Sequence, residues 1–123
     1  VVTRSEPWPV GTPCWVDLGV DDMDKARAFY GELFGWQMDP GPPEAGGYTM
    51  CLKGARSAAG VGPKQQPEQP SAWVTYLAAD DVEDAVAKVK EHGGQVLMEP
   101  MDVMEVGRMA IAVDPAGSVF GIW

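Results

Sequence analysis

The sequence predicts an α+β fold built from two copies of one βαβββ module. Two alignments of the chain with itself carry that prediction. Residues 80–96, DDVEDAVAKVKEHGGQV, lie over residues 21–37 at an offset of 59, placing Asp21 on Asp80, Asp22 on Asp81, Ala26 on Ala85 and Gly35 on Gly94. Residues 112–122, AVDPAGSVFGI, lie over residues 51–61 at an offset of 61, placing Ser57 on Ser118 and Gly60 on Gly121. Self-similarity at a fixed spacing marks a repeated structural unit, and in each copy an apolar strand precedes a helical stripe.

Residues 1–13 hold three prolines and read as an arm. Cys14 to Val20 follows as a strand. Val16, Leu18 and Val20 are apolar at period two, which leaves Trp15, Asp17 and Gly19 on the other side. Asp21 and Asp24 suit a helix start, where carboxylates meet free amide hydrogens. Met23, Ala26, Tyr30, Leu33 and Phe34 give that helix one apolar face, and Gly35 suits its stop. Residues 36–38 form a short strand, and 39–47 must turn because the stretch holds three prolines and three glycines. Residues 48–52 and 57–62 pair as a hairpin around Lys53-Gly54-Ala55-Arg56. The polar, proline-rich stretch 63–71 links the copies.

The second copy opens with a strand over residues 73–79, in which Trp73 has the parity that packs on a helix. Asp80 and Glu83 stand at capping-box spacing, and Val82, Ala85, Val86 and Val89 form the buried stripe. Lys88, Lys90 and His92 favour the negative end of the helix, which Gly93-Gly94 terminate. Residues 95–98 form a strand and 99–107 a loop, with Met101 and Met104 offering either an adaptable lid or no role. Residues 108–113 and 118–123 close as a hairpin. The whole is expected to be one domain (module 1 about 11–62, linker 63–71, module 2 about 72–123).

With 123 residues, 46% hydrophobic content and five tryptophans, the chain can bury one modest core. A net charge of −9 argues against nucleic acid or an anionic membrane as partner, since both call for a positive face. No apolar run reaches the length that crosses a bilayer, and no signal-peptide pattern opens the chain. Cys14 and Cys51 lack metal-like spacing, so free thiols in a reducing cytoplasm are expected. The chain starts on Val and stops at Trp123 within an apolar strand, which points to trimmed ends or to part of a longer polypeptide.

Three stretches, VDDMDKARAFYGELFGW (20–36), VEDAVAKVKEHGGQV (82–96) and DPAGSVFGIW (114–123), resemble the vicinal oxygen chelate superfamily of glyoxalase I, extradiol dioxygenases and bleomycin-resistance proteins. The likeness runs from Gly11 to the end. It is nearest to the GTPxWVDL and FYGxLFGW type (residues 11–18 and 29–36), found in actinobacterial glyoxalase-like and hydroxylase-like proteins. Four such copies often run in one chain there, which makes this stretch the expected first half of one. The resemblance implies a cupped mixed sheet with helices outside and a cavity inside, faced by Trp15, Asp17, Val74 and Tyr76. Metal-using members carry His or Glu/Gln at positions matching Trp15, Gly60, Val74 and Gly121. None of these side chains can hold a divalent ion, so no metal and no other cofactor is expected.

Within that frame Asp17 is the most informative side chain. A carboxylate facing a cavity is costly unless paired or wetted. It could accept hydrogen bonds from a ligand, serve as a general base, or pair with Arg108 or backbone donors to brace the sheet. Trp15, Tyr48, Met50, Tyr76, Met109 and Trp123 could line a flat, largely apolar pocket, or could be plain core. The two cysteines lack an activating neighbour, and His92 near a helix end suits neither a metal site nor a Ser-His-Asp arrangement.

Three functions follow as expectations. The first is a metal-free module binding a small, partly aromatic organic ligand through Trp15, Asp17, Tyr48, Met50, Tyr76, Arg108, Met109 and Trp123. The second is a glyoxalase-like or hydroxylase-like enzyme (lyase, isomerase or oxygenase type) using Asp17 or a group from another module. The third is a structural module of a longer chain. Open strand edges make a homodimer, or pairing with further modules, the expected assembly.

Overall fold

A computed structural model describes residues 4–123; residues 1–3 of the predicted arm lie outside the described residues. Eight strands and two α-helices follow in the order β1 (Pro13–Val20), α1 (Met23–Phe34), β2 (Gln37–Pro40), a 3-10 turn (Pro43–Ala45), β3 (Thr49–Lys53), β4 (Arg56–Pro63), β5 (Ala72–Leu77), α2 (Val82–Glu91), β6 (Gln95–Val103), β7 (Gly107–Val113) and β8 (Val119–Ile122). The α+β class and the doubled βαβββ order are as the sequence predicts. Contacts divide the chain into two compact units, residues 16–73 and residues 4–15 with 74–123.

In the first unit the strands run β2-β3-β4-β1, with β1 parallel to β4 and the other neighbours antiparallel. Leu18, Ala26, Cys51, Ala59 and Val61 form its buried core, with Met23, Tyr30, Trp36 and Met38 packed around them. α1 therefore covers one face of these strands. The other face carries Asp17, Gly19, Tyr48, Met50, Gly60 and Gly62 by the alternation of strand side chains. The hairpin joining β3 to β4 turns through Gly54 and Ala55, both at positive φ (57° and 65°), which suits the twist of a two-residue hairpin loop.

In the second unit the order is β6-β7-β8-β5, with β5 parallel to β8. Val82, Val86, Ala110, Ala112 and Ile122 form its core under α2. Gly11 donates to the Ala78 carbonyl and Ala78 donates to Thr12, so the arm pairs beyond the end of β5.

Several boundaries differ from the sequence reading. The helix caps are Asp22 and Asp81, which accept from the Lys25 and Asp84 amides, one residue later than Asp21 and Asp80. Asp21 is instead engaged by Lys64, whose ammonium lies 2.9 Å from its carboxylate and 2.7 Å from the Gln69 carbonyl, tying the linker to the helix start. Residues 99–103, expected as loop, continue β6. Proline is tolerated there because β6 is an outer strand of its unit, and the register shifts between Met98 and Met101 absorb the misfit. Met101 consequently sits on a strand opposite Met109 and not on a lid. Leu33 and Phe34, expected to pack on the strand, stay 55% and 48% exposed. Trp73 does pack on the helix, donating its indole N–H to the Tyr30 hydroxyl at 3.1 Å.

Among the described residues no helix is long and apolar enough to cross a membrane.

Candidate functional site

The helix-free face of the first unit is organised around a bare stripe on β4. Asp17 stands beside Gly60 on β1, and Met50 stands beside Gly60 on β3, so one row runs Met50, Gly60, Asp17. Tyr48 lies just before β3, on the side of Met50. Its ring covers both Gly60 and Gly62: a Cβ at Gly60 would overlap the phenol oxygen and Cζ, and one at Gly62 would come within 2.9 Å of Cδ2. The Tyr48 hydroxyl, held above Gly60, donates to Asp17 Oδ2 at 3.2 Å. Glycines at both positions are thus what lets a phenol reach a carboxylate two strands away.

Behind that row, on the α1 side, Thr49 is fully buried. Its hydroxyl accepts from Arg27 Nε at 3.1 Å and Nη2 at 2.9 Å and donates to the Gly47 carbonyl at 3.3 Å. These bonds fix the start of β3 on the helix and with it the approach of Tyr48.

The second unit repeats the floor but changes the cover. Tyr76 stands beside Gly121 on β8, the same relation as Asp17 to Gly60. Here the Tyr76 ring itself lies on the glycine, so that a Cβ at Gly121 would fall 2.6 Å from Cγ, and Tyr76 is only 5% exposed. Trp123 covers Gly107 in the same manner, 2.6 Å from the Cβ position, on the side of β7 that bears Met109. Trp123 also continues the β8 pairing, donating to Leu77 and accepting from Ala79. Trp15 and Cys14 belong to this unit, and the Cys14 thiol donates to the Tyr76 carbonyl at 3.5 Å.

Arg108 is elsewhere. It shares the parity of Ala110 and Ala112, which pack under α2, and its guanidinium bonds Glu83 on α2 and Asp102 on β6. The expected pairing of Arg108 with Asp17 is therefore replaced by these two carboxylates, and Arg108 leaves the helix-free face. The hydrogen bonds it donates to Asp102 and then Glu83 push its guanidinium pKa up further, so it stays charged. Burial pushes both thiols up, against a backbone hydrogen bond in the case of Cys14, so neither is poised as a nucleophile at neutral pH. His92 is exposed at the end of α2, with its amide bonded to the Lys88 carbonyl.

A profile of the Glyoxalase/Bleomycin resistance protein/Dioxygenase superfamily matches residues 13–122. The chain belongs to this superfamily. "Putative glyoxylase CFP32" of Mycobacterium tuberculosis is 42% identical over 125 residues, covering 98% of this chain and 48% of that protein. "Anthracycline biosynthesis protein DnrV" of Streptomyces peucetius is 38% identical over 140 residues, covering 99% of this chain and 49% of that protein. The chain thus spans about half the length of the curated relatives it matches. Among solved structures, a Streptomyces coelicolor methylmalonyl-CoA epimerase superposes with a TM-score of 0.63 at 13% identity, covering 93% of this chain and 96% of that one, a likeness of fold.

The resemblance places the ligands of metal-using superfamily members at four positions of this chain. Trp15, Gly60, Val74 and Gly121 offer no donor side chain. Above both glycines the space a longer ligand side chain would take is filled by Tyr48 and Tyr76. Among the described residues no group of three or more His, Cys, Asp or Glu comes together. The residues present at these positions do not fit a metal.

Sequence reasoning selected Asp17, Tyr48, Met50 and Gly60 separately, and the structure brings them together. It missed Gly62, Gly107 and the Arg27–Thr49 bond. The signal for Gly62 was present in the Gly60-Val61-Gly62 alternation, which leaves one face of β4 without side chains opposite an aromatic residue.

Proposed function

We infer that this superfamily member binds a small, partly aromatic organic molecule on its helix-free face without a divalent ion. The observation that carries the reading is the Tyr48–Asp17 pair lying over Gly60 and Gly62. It offers a carboxylate acceptor, a phenol and a thioether beside backbone that an aromatic ring can approach closely. Taken by itself, the helix-free face of the second unit carries Met109 and Trp123 beside the buried Tyr76. The name of the relative DnrV points to anthracycline biosynthesis, and a fused aromatic skeleton with hydroxyl groups suits these surfaces. Two unpaired thiols support a reducing, cytoplasmic setting.

The test is titration of the chelator-treated protein with a hydroxylated anthraquinone, read by tryptophan fluorescence. Binding should persist without metal and weaken about tenfold in Asp17→Asn, as expected for loss of a charged hydrogen-bond acceptor. Affinity unchanged by Asp17→Asn, or binding that depends on added metal, would contradict the reading.

A second reading is favoured by the glyoxylase name of CFP32. Asp17 would then act as a general base, taking a proton from carbon next to a carbonyl, with the Tyr48 hydroxyl orienting the carboxylate. Under this reading Asp17→Asn abolishes turnover, whereas under the first it changes affinity alone.

A further inference from the structure

Four of the seven methionines, Met98, Met101, Met104 and Met109, lie in the single hairpin formed by β6 and β7. Pairing in that hairpin sets Met101 directly opposite Met109, and Met98 opposite Ile111. Side chains opposite one another in an antiparallel pair share a face, with Cβ atoms about 5 Å apart. Met98 and Met101 are three residues apart and would point to opposite faces of a regular strand. Two register shifts change this. Val96 to Met98 takes two steps against one from Ala112 to Ile111, and Met98 to Met101 takes three against two from Ile111 to Met109. Each shift adds one residue to β6, so both thioethers turn to the same side. That side is the helix-free one, since the alternate residues Val96 and Ala112 pack under α2 and Arg108, opposite Asp102, reaches Glu83 of that helix.

Trp123 adjoins this row: its indole lies on Gly107, two residues from Met109 on the same side of β7. Core packing does not account for the arrangement, because Met101 is 46% exposed. Thioethers are uncharged, polarisable donors that select soft ions of the Cu(I) type over magnesium, calcium or manganese. Their flexible stems let sulfurs from neighbouring strands converge on one point. An aromatic face beside them attracts a cation further. Glu105 in the turn and the net charge of −9 draw cations toward the hairpin.

We propose that Met98, Met101 and Met109, with the Trp123 ring beside them, bind one soft monovalent ion of the Cu(I) class on the helix-free face of the second unit. This ion differs in charge, donors and position from the divalent ions of metal-using superfamily members. The proposal is independent of the ligand reading, which is carried by Asp17, Tyr48, Gly60 and Gly62 of the first unit.

Methyl spectra of the full chain labelled with carbon-13 at its methionine methyls test it. The probe is silver nitrate, a soft monovalent ion that keeps its oxidation state in air. The chain carries Cys14→Ala and Cys51→Ala so that thiols do not compete for silver; if that variant unfolds, Cys14→Ala alone serves, since Cys51 is fully buried. The methyls of Met98, Met101 and Met109 should shift together and saturate at one ion per chain, with the Trp123 indole N–H moving alongside. Those of Met23, Met38 and Met50 should stay still, and zinc should move none. Met101→Leu and Met109→Leu conserve side-chain volume. Each should weaken silver binding about tenfold or more, since losing a donor costs at least what losing an outer partner does. All methionine methyls moving in parallel, a shift at Met101 alone, an equal response to zinc, or silver affinity unchanged in either leucine variant overturns the proposal.

Discussion

Tyr48 donates its phenol hydrogen to Asp17 at 3.2 Å from across β4, over a glycine whose Cβ would overlap the ring. In the second unit the residue matching Asp17 is Tyr76 and the residue matching Tyr48 is Met109. The same floor thus carries a polar pair in one copy and a buried aromatic in the other. Duplication preserved the register and diverged in the side chains.

Gly60→Ala should destabilise the chain, because the new methyl overlaps Tyr48. Overpacking of this kind costs about 1–3 kcal/mol. In the Tyr48→Ala background the same change should cost far less, and urea unfolding of the four proteins in the cycle measures the difference. Additive losses would show that the ring does not rest on Gly60.

Thr49→Val removes the acceptor for two Arg27 hydrogens while keeping the shape of the side chain. Leaving a partly buried guanidinium short of an acceptor costs about 1–3 kcal/mol. The expected result is a lower urea midpoint with an unchanged slope. Since Thr49 also positions Tyr48, ligand affinity should fall with it.

Ala55→Gly should stabilise the protein by about 1 kcal/mol, because Ala55 occupies the left-handed region that penalises a Cβ. A raised thermal midpoint checks this. No change, or a loss, would mean that the turn relaxes without strain.

Stability should fall as pH climbs through the ordinary thiol value of 9.0. Burial holds both thiols protonated in the folded chain, while the unfolded chain releases these protons, so the unfolded state binds fewer protons and gains on the folded one. Urea midpoints between pH 8 and 10 should drop less steeply for Cys14→Ala than for the parent. Parallel curves would remove Cys14 from the effect.

How much of this was legible differs by feature. The βαβββ repeat, the αL stop at Gly35 and the lysines ending α2 follow from periodicity and local chemistry, which act within a few residues. The caps were misplaced by one residue because Lys64, which recruits Asp21, arrives from the linker. β6 runs past the expected 95–98 to Val103 because an outer strand tolerates Pro100, and strand order is a tertiary fact. Arg108 was assigned to the ligand face from its type; its parity with Ala110 and Ala112 already put it with α2. Leu33 and Phe34 matched helical spacing, yet α1 rests on the strands mainly through Met23, Ala26 and Tyr30, which leaves its flanks uncovered.

Backbone amide shifts on titrating the metal-stripped protein with a hydroxylated anthraquinone bear most directly on the ligand reading. It predicts that Asp17, Met50, Gly60 and Gly62 move together while Phe29 and Leu33 stay still. Movement confined to α1, or none until a divalent ion is supplied, would contradict it.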